Sequence, residues 1–265
     1  MFKPLLNVKI SPIQKITFSG LLIAVVIILQ KILAINYIPV VPFLRISLGG
    51  PALIIFSSLF LGPIYGLFIG AASDVLGYFI FDPKANAFFP QITAIYAVLG
   101  LVSYFVFLLF KLIKNKTLML IIEGATFIGL LVFITLYLCL NTNLQLYSST
   151  YEVQLWQKIV IPIVLFILLS LLFISSIIFD KKSEKWNLVL SPINISFSCF
   201  VIEVTVMVMF GTLMKGFAFG FATYPMILLT QIIVLFINVP LNTWLLILLF
   251  RVTNRFYNKP ETFYN

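Results

Sequence analysis

The stretch ISLGGPALIIFSSLFLGPIYGLFIGAASDVLGYFIF, residues 46–81, decides the fold of this chain. It is nearly unbroken apolar sequence, about twice as long as the roughly 20 residues that one helix needs to cross a bilayer. Gly62-Pro63 stands in its middle, and proline lacks an N–H and disfavours helical geometry in the residue before it. The stretch is therefore predicted to form two membrane helices, 46–62 and 64–81, joined by a tight turn.

Apolar runs of similar length recur along the rest of the 265 residues. Hydrophobic residues make up 62% of the chain and charged residues 9%, whereas soluble domains carry about 25% charged residues. A soluble core of this size cannot hide so much apolar side chain, so residues 1–265 are predicted to form one all-α, polytopic membrane domain. The other predicted spans are 13–35, 92–113, 117–140, 159–179, 192–214 and 225–250, which makes about eight transmembrane helices.

The basic residues predict the orientation of these spans. An even number of spans places both termini on one side, and cytoplasmic loops carry an excess of Lys and Arg. With a cytoplasmic N-terminus, twelve of the 17 basic residues fall in inner segments and the other five at or near the outer side. We expect a multi-pass protein of the cell membrane with both termini in the cytoplasm, and we interpret the net charge of +9 as this topological signal.

Composition excludes several kinds of chemistry. The chain has no histidine, which rules out Ser-His-Asp triads and His-ligated metals. Its two cysteines, Cys139 and Cys199, lie inside apolar runs and are interpreted as small core residues. There is no GxxxxGK[ST] phosphate loop, so ATP cannot be used by that route. We predict no metal site, no cofactor and no catalytic residue.

Three predicted outer loops share an aromatic composition rich in Pro or Gly. They are residues 36–45, 82–91 and 215–224. Aromatic loops at a membrane surface are most often interfacial belts, but three on one side favour a lid whose rings stack on a flat ligand. The fourth outer loop, 141–157, is polar and is expected to be an ordinary solvated connection.

Ionisable side chains at membrane depth are costly and therefore become functional candidates. Asp74 and Glu203 lie in the middle of predicted helices and are interpreted as acceptors for ligand N–H groups, or as groups satisfied by a neighbouring Ser, Thr or backbone. Glu123 is expected to reach the interface. Arg45 stands beside Gly49-Gly50-Pro51 and is interpreted as a bidentate partner of a ligand carboxylate, or as an interfacial arginine.

Small residues spaced four apart predict close helix contacts. The first helix has Gly20 and Ala24, and the third has Gly66 and Gly70. Both pairs are interpreted either as internal contacts or as a docking face for another membrane subunit.

Four motifs resemble the substrate-binding S components of energy-coupling-factor (ECF) vitamin transporters, above all the folate-type family. They are Leu44–Pro51, Leu61–Gly66, Ala72–Tyr78 and Phe88–Thr93, and their order and spacing match over about residues 13–113. The segment from Glu203 to Leu213 and the segment from Gln231 to Thr243 resemble the last two helices of that family. The resemblance implies a six-helix bundle, so that the additional pair, about 117–180, is an inserted transmembrane hairpin.

The resemblance also implies a function. The chain is expected to be a non-catalytic subunit that binds a vitamin, folate or a related compound, from outside. It is expected to dock through Gly20 and Ala24 onto an ECF T subunit that works with two cytoplasmic ATPase subunits. Where the family has an Asn-Thr pair and an Arg, this chain has Phe210-Gly211-Thr212 and Tyr224-Pro225-Met226, so the identity of the ligand stays open. The predicted substrate-binding residues are Arg45, Ser47, Gly49, Asp74, Asn86, Phe88, Phe89, Glu203 and Thr212.

Two other functions stay open from the sequence. An ion-coupled secondary transporter of a small organic solute is expected to show inverted repeats, and the two halves of this chain show no convincing repeat. An intramembrane enzyme has few candidate groups for acid–base chemistry in a chain without histidine.

Overall fold

The structure, a computed structural model, describes residues 11–34, 49–81, 88–113, 115–141, 143–146, 149–182 and 190–257. Seven helical segments in these ranges are long and apolar enough to cross a membrane, and an eighth is shorter. The all-α, polytopic fold class is confirmed. The helices are α1 Pro12–Ile27, α2 Gly50–Leu61, α3 Pro63–Phe81, α4 Pro90–Lys111, α5 Lys116–Leu140, α6 Leu155–Lys182, α7 Pro192–Ile202, α8 Gly211–Phe219 and α9 Tyr224–Tyr257.

Two of these helices contain wider π-helical turns. One segment, π1 (Ile28–Ile32), continues α1, and the other, π2 (Glu203–Phe210), joins α7 to α8. Helix starts follow ordinary capping chemistry: the Ser11 side chain caps α1 together with Gln14, and Ser191 caps α7. A proline stands in the first turn of both helices, where its missing N–H costs no hydrogen bond.

The predicted turn at Gly62-Pro63 is present. α2 ends at Leu61, Gly62 has a φ of 114°, which favours glycine, and Pro63 begins α3. All twelve residues of α2 are buried. A helix of that length spans about 18 Å, so its described part is a core helix rather than a full crossing. The predicted start of this span, residues 46–48, lies outside the described residues.

Helices α3 and α4 pack backbone against backbone. A Cβ atom built on Gly66 lies 2.7 Å from the carbonyl oxygen of Gly100, and one built on Gly70 runs into the backbone of Tyr96. Of the two interpretations of Gly66 and Gly70, the internal contact is therefore the one that the structure shows. On α1, by contrast, Gly20 and Ala24 are exposed, and nothing within the described residues lies within 4 Å of a Cβ atom built on Gly20.

Helices α5 and α6 form a neighbouring pair that packs on α7 and α9. At one end Lys116 and Asp180 form an ion pair of 2.9 Å. At the other end the polar connection contains two short strands that the sequence did not predict. Strands β1 (Asn143–Leu146) and β2 (Ser149–Glu152) pair antiparallel there as a short hairpin.

The two ends of the bundle differ in composition. We name the end where α3 and α8 finish and α4 begins the aromatic end, because Phe81, Phe89 and Phe219 mark those termini. We name the opposite end the basic end. It carries the four lysines at the termini of α4, α5 and α6, which are Lys111, Lys116, Lys181 and Lys182.

Candidate functional site

Asp74 lies on α3 and is almost fully buried against α4. Its Oδ2 atom accepts a hydrogen bond of 2.6 Å from the Thr93 hydroxyl. A threonine neighbour therefore serves one of its oxygens, as one of the two interpretations of Asp74 expected. One turn further along the same face, Lys31 from π1 packs its Cε atom 3.1 Å from the position of a Cβ atom on Gly77. Lys31 therefore approaches α3 about one helical turn from the Asp74–Thr93 pair.

Aromatic rings cover the aromatic end of α3 and α4. The Phe88 ring lies 5.2 Å from the Tyr78 ring and 6.1 Å from the Phe79 ring, between centroids. The Phe89 ring lies 4.8 Å from the Phe219 ring of α8. These separations are typical of attractive aromatic pairs. The second and third aromatic segments of the sequence are therefore brought together at one end.

The first aromatic segment, 36–45, lies outside the described residues. Among the predicted binding residues the same is true of Arg45, Ser47 and Asn86. Gly49 is described: it has a φ of 79° and precedes α2. Its Cβ position faces the side chains of Leu29 and Leu245, so its immediate surroundings are apolar.

Glu203 is fully buried at the start of π2. Its Oε1 atom accepts a hydrogen bond of 2.7 Å from the Asn242 amide of α9. Asn238, one turn before Asn242, also hydrogen-bonds the carboxyl group, and the half-buried Lys215 acts on it electrostatically. Two amides and one lysine therefore surround this carboxyl group inside the bundle. π-Helical turns are frequent at functional sites.

Thr212 is the remaining described candidate. It is fully buried in α8, and its hydroxyl finds no hydrogen-bond partner in the part of the chain that the structure describes. The neighbouring Gly211 faces Ile95 of α4. Thr212 thus lies on the α8 side of α4.

The described candidates form two groups rather than one continuous site. Helix α3, with Asp74, packs mainly on α1, α2 and α4, whereas π2 and α8, with Glu203 and Thr212, pack on α4 and α9. Helix α4 therefore stands between the two groups. Phe89 connects them at the aromatic end through its ring contact with Phe219.

Sequence reasoning missed a further polar contact, between α5 and α7. Glu123 is fully buried, so the expectation that it reaches the interface is wrong. Its Oε1 atom is paired with the Ser196 hydroxyl at 2.8 Å, and its Oε2 atom has no partner among the described residues. A sequence signal for this contact was available. Spacings of three and four residues place Ser196, Cys199 and Glu203 on one helical face.

The cysteines differ from each other. Cys199 is a buried core residue, as predicted, but Cys139 is exposed on α5, so its assignment to the core is wrong. An apolar run in a membrane helix has a lipid-facing side as well as a core-facing side, and hydropathy alone does not separate them. The described residues contain no cluster of three or more Cys, Asp or Glu side chains placed to hold a metal ion.

The Asn242 amide is expected to matter for stability. Replacing Asn242 by Leu removes a donor to a buried carboxylate, and such hydrogen bonds contribute about 1.5–3 kcal/mol. We therefore expect Asn242→Leu to lower the free energy of unfolding by about 2 kcal/mol in detergent. A double-mutant cycle with Glu203→Gln checks the assignment, because the two changes must be clearly non-additive. Additive effects contradict a direct Glu203–Asn242 interaction.

Comparisons with protein families, with curated proteins and with solved structures found no match to this chain. Its function is therefore argued from its own residues.

Proposed function

We propose that this multi-helix membrane protein is the substrate-binding S component of an ECF-type vitamin transporter, with folate or a related compound as its ligand. The observation that carries the proposal is the buried Asp74–Thr93 pair beneath the Phe88 and Tyr78 rings at the aromatic end. A carboxylate one helical turn from a pair of aromatic rings suits a flat heterocycle that offers N–H donors, as the pterin ring of folate does. The proposal also draws on the resemblance of the four motifs to that family.

In this proposal the aromatic end faces the outside. The ligand enters there and hydrogen-bonds Asp74, while Phe88 and Phe89 cover it. Arg45, at the start of the second predicted helix, pairs with the carboxylates of the ligand. Gly49, Ser47, Asn86, Glu203 and Thr212 complete the set of proposed binding residues. The chain itself performs no chemistry, and both termini lie in the cytoplasm of a cell whose membrane it spans.

Energy comes from partner subunits in this account, because the sequence contains no phosphate loop. The exposed Gly20 and Ala24 face of α1 allows another helix to approach closely. We propose that an ECF T subunit docks there and transmits ATP hydrolysis by two cytoplasmic ATPase subunits.

The nature of the ligand is tested by purification. The chain is extracted in mild detergent, and the small molecules that co-purify with it are identified by mass spectrometry. A stoichiometric folate or pterin compound supports the proposal. A protein that is free of such compounds and does not bind added folic acid contradicts the ligand class.

Docking through α1 is tested by two matched variants. Gly20→Leu fills the exposed small face and is expected to leave folic acid binding by the purified chain within about twofold. Uptake into cells that contain the energising subunits is expected to fall to background, because the helix–helix approach is blocked. Gly129→Leu, at another exposed and open glycine on α5, is the control and is expected to leave both activities intact. Normal uptake by Gly20→Leu contradicts this docking face.

A second candidate function is an ion-coupled secondary transporter of a small organic solute. The observation that favours it is the pair of fully buried carboxyl groups, Glu123 and Glu203, next to the non-α-helical segment π2. Uptake by the isolated chain, driven by a proton or sodium gradient without nucleotide, distinguishes this function from the first.

A further inference from the structure

Glu123 is the least compensated acidic group in the described interior of the bundle. Both of its carboxyl oxygens are buried. Among the described residues, the Ser196 hydroxyl is their only hydrogen-bond partner. Its Oε2 atom is fully buried and has no hydrogen-bond donor in the described part of the chain. An ionised carboxylate accepts up to about four hydrogen bonds. Glu123 therefore lacks most of the donors that an anion requires.

Glu203, by contrast, has several polar partners in the same bundle. Glu203 receives hydrogen bonds from two asparagine amides and the attraction of Lys215. Among the described residues, Glu123 has neither an amide nor a lysine as a partner. Burying an uncompensated carboxylate in an apolar interior costs far more than burying a neutral acid, so the uncompensated group takes up a proton instead.

Within the part of the chain that the structure describes, the neighbouring helices offer no positive charge at this position. Helix α5 packs on α6, α7 and α9. On α7 the titratable group that interacts electrostatically with Glu123 is Cys199, which also interacts with Glu203 of π2. The ionisable side chains that the structure describes on α6 and α9 lie near the helix ends. They are Lys158, Asp180, Lys181, Lys182, Tyr224 and Arg251.

We propose that Glu123 is a proton-binding site between α5 and α7, and that it is a neutral carboxylic acid in this conformation. The 2.8 Å contact between Oε1 and the Ser196 Oγ atom also fits a carboxylic O–H that donates to the serine. The serine hydrogen is then free to bond a carbonyl of its own helix, as buried serines in helices often do. Oε2 becomes an unpaired carbonyl oxygen, which is much cheaper to bury than an anion.

Proton binding is coupled to the packing of α5 on α7. A separation of the helices that admits water to Glu123 lets this group ionise, because an exposed glutamate has a pKa of about 4.3. The separated state therefore holds fewer protons than the packed state at neutral pH. Since stability falls with pH wherever the opened state binds fewer protons, a rising pH favours separation. This inference depends on the α5–α7 geometry and not on the proposed vitamin ligand.

Infrared spectroscopy of the purified full chain tests the proton directly. We expect a carboxylic acid C=O band in the wild type at pH 7.5 that shifts on isotope labelling of glutamate. Glu123→Gln is expected to remove that band, whereas Glu203→Gln is expected to leave it. A difference spectrum between wild type and Glu123→Gln that contains only carboxylate bands overturns the proposal.

A second measurement keeps the test decisive if Glu123→Gln folds poorly. The wild-type chain with labelled glutamate is titrated from pH 5 to pH 9. A labelled acid band that persists above pH 7 supports a buried proton, because exposed glutamates have ionised by then. Loss of all labelled acid absorption by pH 6 overturns the proposal, whatever the variant does.

Discussion

Replacing Asp74 by Asn is expected to weaken folic acid binding by about 10- to 100-fold. Asparagine keeps the size of the side chain but removes the charge, and hydrogen bonds to charged groups contribute about 1.5–3 kcal/mol, where 1.4 kcal/mol is a factor of ten in affinity. The buried position makes the effect large, because water does not replace the lost acceptor. The measurement is a fluorescence or calorimetric titration of the purified chain with folic acid.

Asp180→Asn is the matched control for this change. Asp180 pairs with Lys116 at the basic end, far along the bundle from the proposed site, and exposed ion pairs contribute little. We expect it to leave the affinity within about twofold. Thr93→Val should fall between the two, at about fivefold weaker binding, because it removes one neutral donor from Asp74. An Asp74→Asn variant that binds as tightly as the wild type contradicts the assigned role.

The largest expected effect on stability comes from Gly66. Its Cβ position lies 2.7 Å from the carbonyl oxygen of Gly100 and 2.9 Å from the Cα atom of Ser58, so a side chain meets backbone on two helices. Backbone atoms cannot rotate away as the tip of a flexible side chain can. The added side chain therefore pushes α3 away from α4. We expect Gly66→Val to cost about 3 kcal/mol and to lower the midpoint of thermal unfolding by roughly 10 °C.

Gly129→Val provides the comparison for Gly66→Val. Gly129 is a helical glycine of α5 with nothing within 4 Å of its Cβ position among the described residues. The same substitution there is expected to shift the unfolding midpoint by about 2 °C or less. Equal shifts for the two variants, measured side by side in the same detergent, show that the close α3–α4 approach is not what stabilises the bundle.

The sequence predicted most of the helices because hydropathy and proline carry that information locally. Gly62-Pro63 divided residues 46–81 correctly, since one residue adopts a positive φ and the next begins a helix. The short hairpin in 141–157 was missed because its two strands have only four residues each, too few for a convincing period of two. Helix α2 was predicted as a crossing because composition does not distinguish a lipid-facing helix from a fully buried one.

The candidate site was less predictable, because it depends on which helix faces which. The sequence identified Asp74 as a buried acid, but its partner Thr93 lies on the next helix and follows from tertiary packing. Glu123 was assigned to the interface by its position near the start of α5, and only its contact with Ser196 reveals the buried pair. Separating Asp74 from Glu203 required knowing that α4 stands between their helices.

The most direct test of the central claim is a binding and uptake experiment on the isolated chain. The purified protein is reconstituted into liposomes, and radiolabelled folic acid is measured both as bound and as accumulated ligand. The account predicts saturable binding near one molecule per chain and no accumulation, with or without a proton or sodium gradient. Gradient-driven accumulation by the chain alone would falsify the claim that it binds the ligand while other subunits supply the energy.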